Sequence, residues 1–302
     1  MSKEVYSVKS CDYNMFKWYF SLRTPSTCEN AVVDSFLWAK YYDSKYYYTE
    51  KGLLWLLRNK DGIFTVTPLC KTEDLKDCFL DIETYFHEEL HQKLEMYLVD
   101  EEALHIIDPD PDRYDVIEER QYFDYVYDGD KLRTLSGKAY HKKKNHINSF
   151  VRQYGERFQY RTLDRENKDA VMNFLSEWNA ERGMIDPYNR LDSEEAGIRY
   201  LLYECTNVPI HMGGIYIDDK LQAFSIGSYS KTIDMAYIHV EKANPEIRGL
   251  YNVMNQQFLI HEFPNVSRIN REDDMGLEGL RKSKLSYNPI ELVKKYSIIE
   301  KE

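Results

Sequence analysis

From residue 160 onward the chain changes its apolar period in an order that few folds can satisfy. Residues 169–183 (DAVMNFLSEWNAERG) and 194–205 (EEAGIRYLLYEC) place apolar side chains every three or four positions, the spacing of a buried helix face. Residues 213–230 (GGIYIDDKLQAFSIGSYS) switch to strands, and Asp218-Asp219 at their centre suits the positive backbone angles of a tight hairpin turn. A strand at 232–242 (TIDMAYIHVEK), a helix at 249–263 (GLYNVMNQQFLIHEF), a short strand at 266–270 (VSRIN) and a helix at 277–284 (LEGLRKSK) complete the series. This order predicts an α+β fold, layered in the α/β manner around a mixed sheet.

The preceding half has its own elements. Residues 29–48 mix helical spacing with the tyrosine-rich YYDSKYYYTE, which reads as a turn entering a strand. GLLWLLRN (52–59) and GIFTVTPL (62–69) form a predicted hairpin, because Asp61-Gly62 favours a tight turn. Phe79, Ile82, Phe86, Leu90 and Leu94 predict a helix over 74–96. MYLVD (96–100), ALHIIDP (103–109) and FDYVYD (123–128) are predicted strands. A chain of 302 residues is long for one core, so two domains are expected, 1–155 and 156–302.

Charge narrows the function classes. The net charge is -11, which excludes general coating of nucleic acid and confines any phosphate site to a focused patch. Such a patch exists: from Lys131 to Gly155 there are seven Lys or Arg residues and no Asp or Glu. With Ser136 as N-cap and Gly155 as stop, Tyr140, Ile147, Phe150, Val151 and Tyr154 form one buried stripe. Lys138, His141, Lys142 and Arg152 then face solvent, whereas Lys143 and Lys144 flank the stripe and point toward a cleft. The plainer reading is that long lysine stems cover apolar surface while their heads reach water. No run approaches the length of a membrane helix, and no leader is evident at the start. Five scattered cysteines without a CxxC suit reduced thiols, so a cytoplasmic location is expected.

Two stretches, LSGKAYHKKKNHINSF (135–150) and INREDDMGLEGLRKSKLSYNP (269–289), together resemble the DUF2156 family. That is the family of the C-terminal catalytic domain of phosphatidylglycerol lysyltransferase, related in fold to the Fem aminoacyl transferases. The resemblance spans roughly residues 50–295, and the element order after 160 is similar to the GNAT acyltransferases. It implies two tandem GNAT-like domains, each a mixed central sheet flanked by helices. It also implies an acyltransferase that moves an aminoacyl group from charged tRNA to an amine or hydroxyl of a lipid, peptide or small molecule. The amino-terminal membrane portion of the lysyltransferases has no counterpart here, which leaves the acceptor open and peripheral membrane contact an alternative. No tightly bound cofactor is expected.

Candidate chemistry lies at the strand ends. Arg271-Glu272-Asp273-Asp274 joins a predicted strand to a helix, where open sheets place ligands. One of Asp273 and Asp274 reads as an N-cap; the others suit an aminoacyl ammonium group or, for Asp273 or Glu272, a proton from the attacking nucleophile. Arg281, Lys282 and Lys284 come next and fit either phosphate or the helix C-terminus. On 232–242, alternation puts Tyr237, His239 and Glu241 on one face, with His239 and Glu241 an acid/base pair or His239 simply a structural histidine. The loop Glu246-Ile247-Arg248-Gly249-Leu250-Tyr251 stands where coenzyme A-dependent GNAT enzymes hold pyrophosphate. Its acidic start and bulky Tyr251 disfavour a diphosphate, although Gly249 remains. This places aminoacyl-tRNA ahead of acetyl-CoA or another acyl-CoA as donor. Two rivals stand beside the transferase reading: a non-catalytic tRNA- or anion-binding protein, and a zinc protease through His87-Glu88-Glu89-Leu90-His91, an H-E-x-x-H match.

Overall fold

The computed structural model describes residues 3–182 and 190–302. The first elements are β1 (Tyr6–Ser7), α1 (Tyr13–Phe20), α2 (Val32–Leu37), β2 (Lys45–Tyr48), β3 (Gly52–Arg58), β4 (Ile63–Val66) and β5 (Leu69–Cys70). They are followed by α3 (Leu75–Glu88), β6 (Glu95–Asp100), α4 (Glu101–Ile107), β7 (Tyr114–Glu118), β8 (Asp124–Asp128), α5 (Gly129–Thr134) and α6 (His141–Tyr154). Next come β9 (Phe158–Leu163), α7 (Lys168–Arg182), α8 (Arg190–Tyr203), β10 (His211–Ile217), β11 (Lys220–Ser230) and β12 (Met235–Ala243). The chain ends with α9 (Leu250–Glu262), β13 (Arg268–Asn270), α10 (Glu278–Leu285), β14 (Glu291–Val293) and β15 (Lys295–Glu300). Gly183, the last residue of the first helix expected after 160, lies outside the described residues. No helix among the described residues is long and apolar enough to cross a membrane.

The strands form two mixed sheets flanked by helices. One runs β1-β2-β3-β4-β6-β15-β7, with β5 also on β3; the other runs β14-β8-β13-β12-β11-β10-β9. Each contains a parallel pair, β4 with β6 and β12 with β13, among antiparallel neighbours. Both predicted hairpins form. Leu57 pairs with Phe64 across the first turn, and Asp218 and Asp219 of the second adopt φ of 48° and 62°.

The chain divides at Asp124–Tyr125, and the expected break near 155 is corrected accordingly. The first unit comprises 1–124, 273–277 and 293–302; the second comprises 125–272 and 278–292. The reason is packing. Tyr140 and Phe150 of the basic helix are buried in one cluster with Leu250, Met254 and Phe258 of α9, so this helix belongs to the second unit. The C-terminal strand returns to the first unit because β15 pairs with both β6 and β7. The first unit's own core gathers Leu54, Phe79, Ile82, Phe86, Met96 and Ile298.

Local corrections have local causes. ALHIIDP is helical: the Asp100 carboxylate accepts from the Ala103 amide at 3.1 Å, an N-cap that starts α4. The helix expected over 74–96 stops at Glu88, and His91 lies at φ 52°, outside right-handed helical space. The basic helix begins at His141 after a 3₁₀ turn at Lys138–Tyr140, so Ser136 does not cap it, while Gly155 at φ 39° ends it. In its stripe Tyr140 and Phe150 are buried and Ile147 and Tyr154 pack partly against the same core. Val151 is 44% exposed, contrary to expectation, because the face that packs on α9 is narrower than the sequence stripe.

Candidate functional site

The second unit concentrates its polar groups on β12 and the segment after β13. Strict alternation along β12 fails at one residue. The β11–β12 ladder steps from Ile226 opposite Val240 to Gly227 opposite Ile238, leaving His239 with no opposite residue. Such a bulge re-aims a side chain. Here His239 Nε2 lies 2.8 Å from Ser228 Oγ, and Nδ1 lies 2.9 Å from Glu272 Oε1. The His239 side chain is fully buried, whereas Glu272 retains some exposure. Glu272 adopts φ 56°, costly for a residue with a Cβ, and its amide donates to Asn270 Oδ1 at 2.7 Å. That turn aims its carboxylate back at the imidazole. The expected pairing of His239 with Glu241 is therefore replaced by pairing with Glu272.

Glu241 instead meets Arg271, Oε1 to Nη2 at 3.0 Å, and its other oxygen accepts from Asn255 Nδ2 at 3.1 Å. The Arg271 guanidinium lies 5.0 Å from the centre of the Tyr287 ring. The Lys143 ammonium lies 3.9 Å from the same centre. Burial, and then the nearby Arg271 charge, pull the Lys143 pKa down to about 8. Arg271 Nη1 is buried and has no hydrogen-bond partner among the described residues. Two cations thus lie close to one tyrosine ring, and the nearby Glu241 carboxylate pairs with Arg271, an arrangement that an anion would relieve.

Other sequence candidates have different surroundings. Of the basic run, Lys142, Lys144 and Arg152 are exposed, so only Lys143 enters the polar cluster. Tyr237 is buried, its ring 6.3 Å from that of His239 and nearly parallel to it. Gly249, at φ 87°, caps α9; a Cβ there would stand 2.6 Å from the His146 carbonyl oxygen. Tyr251 packs partly buried against the core of the unit. Lys284 is buried and donates to the Arg271 carbonyl, holding the backbone beneath the guanidinium. Lys282 is exposed and pairs with Glu278 at 2.6 Å, while Arg281 is half-buried on the same helix.

Asp273 and Asp274 belong to the first unit and shape a turn. Asp273 Oδ1 accepts from the Met275 amide at 2.8 Å, and the buried Asp274 accepts from Gly276 at 2.9 Å and meets Arg120 at 3.3 Å. Asp273 also adds to the negative field around the buried Lys295 ammonium. The H-E-x-x-H match fails geometrically. The helix ends between its two histidines, His87 Nε2 binds Glu300 at 2.7 Å, and His91 Nδ1 lies 3.2 Å from the His87 carbonyl oxygen.

Sequence reasoning missed Ser228, Tyr287 and Asn255. A clue to Ser228 was present in SIGSYS, where a glycine inside a strand marks a bulge or close approach. Tyr287 and Asn255 carried no such clue, because an aromatic ring or amide becomes informative only beside its neighbours.

Comparison with known proteins bears on the fold and the family. A conserved protein of unknown function from Bacteroides thetaiotaomicron shares 25% identity and superposes with a TM-score of 0.89 over 99% of this chain and 100% of that one. The C-terminal domain (DUF2156) of a putative lysylphosphatidylglycerol synthetase from Agrobacterium fabrum has the same fold. Its TM-score is 0.67 at 12% identity, over 96% of this chain and 92% of that one. An uncharacterised protein of Mycoplasmoides gallisepticum is 28% identical over 187 residues, 62% of this chain and 59% of that protein's length. The family model for the C-terminal region of phosphatidylglycerol lysyltransferase matches residues 20–299. The two mixed sheets flanked by helices are the α+β architecture expected from the sequence, and the chain belongs to the phosphatidylglycerol lysyltransferase C-terminal family.

Proposed function

We propose that the protein transfers an aminoacyl group from charged tRNA to an amine or hydroxyl acceptor. The observation that carries this reading is the placement of Lys143 and Arg271 against Tyr287. It is a half-buried cationic site with an unpartnered guanidinium nitrogen, suited to a phosphate of the donor's 3′ end. Glu241 beside it suits the free ammonium of the aminoacyl moiety. His239, oriented by Glu272, takes the proton that the acceptor loses on attack. The chain's remaining contribution is alignment of two bound reactants.

Acyl-CoA is disfavoured as donor by the packing at the start of α9. Gly249 sits against the His146 carbonyl and Leu250 is buried, so the loop closes on the basic helix and has little room to wrap a diphosphate. The test is incubation with radiolabelled charged tRNAs and, separately, labelled acetyl-CoA, followed by extraction of lipid and aqueous products. Label leaving tRNA for a stable product is expected. Turnover with acetyl-CoA alone would overturn the donor, and turnover with neither would favour a binding protein.

A further inference from the structure

We infer that Ser228 is a nucleophile and that acyl transfer passes through an acyl-Ser228 ester. This deepens the proposed acyl transfer and rests on it. The geometry is a hydrogen-bonded chain of hydroxyl, imidazole and carboxylate: Ser228 Oγ to His239 Nε2 at 2.8 Å, His239 Nδ1 to Glu272 Oε1 at 2.9 Å. A serine is a weak nucleophile until an adjacent base takes its proton, and the base works best when a third group fixes its tautomer. With the ring protonated on Nδ1 toward Glu272, Nε2 is placed to receive the proton of Ser228. The histidine side chain is shut off from solvent while Ser228 stays partly exposed, so the base is shielded and the nucleophile is reachable.

Two features set this chain apart from a histidine that merely satisfies its ring nitrogens. The β11–β12 ladder shifts register between Ile226 and Gly227, which leaves His239 without an opposite residue, with only the Gly227–Ile238 pair between it and the Ser228–Tyr237 pair. The carboxylate is delivered by a residue held at φ 56°. A residue with a Cβ held at that positive φ costs backbone energy.

The step balances without a further reagent. Ser228 Oγ attacks the carbonyl carbon of the activated ester, and its proton moves to His239 Nε2. The bond to the leaving oxygen breaks, and His239 returns the proton to that oxygen. The acceptor's amine or hydroxyl then attacks the acyl-Ser228 ester. Its proton passes to His239 and on to Ser228 Oγ as the ester bond breaks. Water in place of the acceptor would give slow hydrolysis, so the protein should have a weak esterase activity of its own.

The experiment uses the full chain with p-nitrophenyl acetate and, separately, an alkyl fluorophosphonate, read by stopped-flow absorbance and intact-protein mass. The expected result is a p-nitrophenolate burst equal to the enzyme concentration and a single adduct mapped to Ser228. Ser228→Ala should abolish both with an unchanged melting temperature, and His239→Asn should slow acylation by about 10²- to 10⁴-fold. Ser228→Cys should accept the acetyl group as a thioester, a rescue that a structural serine would not give. Absence of an adduct on Ser228, or an equal burst from Ser228→Ala, would overturn the proposal. If label still moved from charged tRNA in Ser228→Ala at the wild-type rate, direct transfer would replace the acyl-enzyme and the donor reading would stand.

Discussion

At the scale of single residues, function turns on which carboxylate meets which cation. Glu241 and Glu272 both lie within reach of the polar cluster, yet one holds Arg271 and the other holds His239. Glu272→Gln should therefore lower single-turnover acyl transfer by about 10²-fold or more, because the amide can donate to Nδ1 and favour the wrong tautomer. Equal rates for Glu272→Gln and wild type would remove the proton-transfer role. Lys143 makes a second prediction. Its pKa is lowered to about 8, so the ammonium is present at neutral pH and lost as pH rises through that value. Binding of charged tRNA should weaken between pH 7 and 9, and Lys143→Met should bind weakly with that pH dependence removed. The same lowered pKa means that the folded state holds fewer protons than the unfolded chain between about pH 8 and the ordinary lysine range. Lys143 therefore costs stability at neutral pH, and that penalty fades as pH rises across the window. Urea titrations of wild type and Lys143→Met over that range would show it.

At the scale of elements, the basic helix does two jobs on different faces. Phe150 is fully buried and Val151, one residue on, is 44% exposed. Phe150→Ala should cost about 3–5 kcal/mol, and Val151→Ala should stay within about 0.5 kcal/mol of wild type in urea denaturation. Comparable losses would mean that the helix packs in another rotation. On the proposed function, its solvated lysines would add sequence-independent attraction to phosphate. Changing Lys142 and Lys144 to Ala should flatten the salt dependence of tRNA binding, by about 0.7 in logarithmic slope for each phosphate interaction removed, without changing the melting temperature. An unchanged slope would confine tRNA contact to Lys143 and Arg271.

At the scale of the whole molecule, the termini of the first unit are tied together by a buried charge. Lys295 on β15 is inaccessible to solvent, and its ammonium lies 2.7 Å from Asp124 and 2.6 Å from Glu29. Burial alone would lower its pKa, but these neighbours raise it well above the ordinary lysine value. Lys295→Met leaves Asp124 buried without its cation and should cost about 3–5 kcal/mol. Asp124→Asn combined with Lys295→Met should be less damaging than the sum of the single changes, since neither charge is then stranded. Additive losses in chemical denaturation would show that the pair is uncoupled.

The sequence by itself determined the elements with strong periodicity or strong turn chemistry. Local rules governed both hairpins, α9 and the sheet-forming run from 211 to 243, because apolar spacing and the Asp-Asp and Asp-Gly turns act over a few residues. The basic and acidic motifs also marked the family and held Lys143, Arg271 and Glu272 among several candidates, while His239 came from the alternation along 232–242. Tertiary structure decided the rest. Whether ALHIIDP is a strand or a helix depended on a cap from Asp100, and the unit boundary depended on which core receives Phe150. The hydrogen bond between His239 and Ser228 depended on a bulge that places a diagonal neighbour in range. Sequence spacing encodes which face a side chain takes within one element. It does not encode which residue of a distant element arrives opposite, because that is set by packing the whole unit at once.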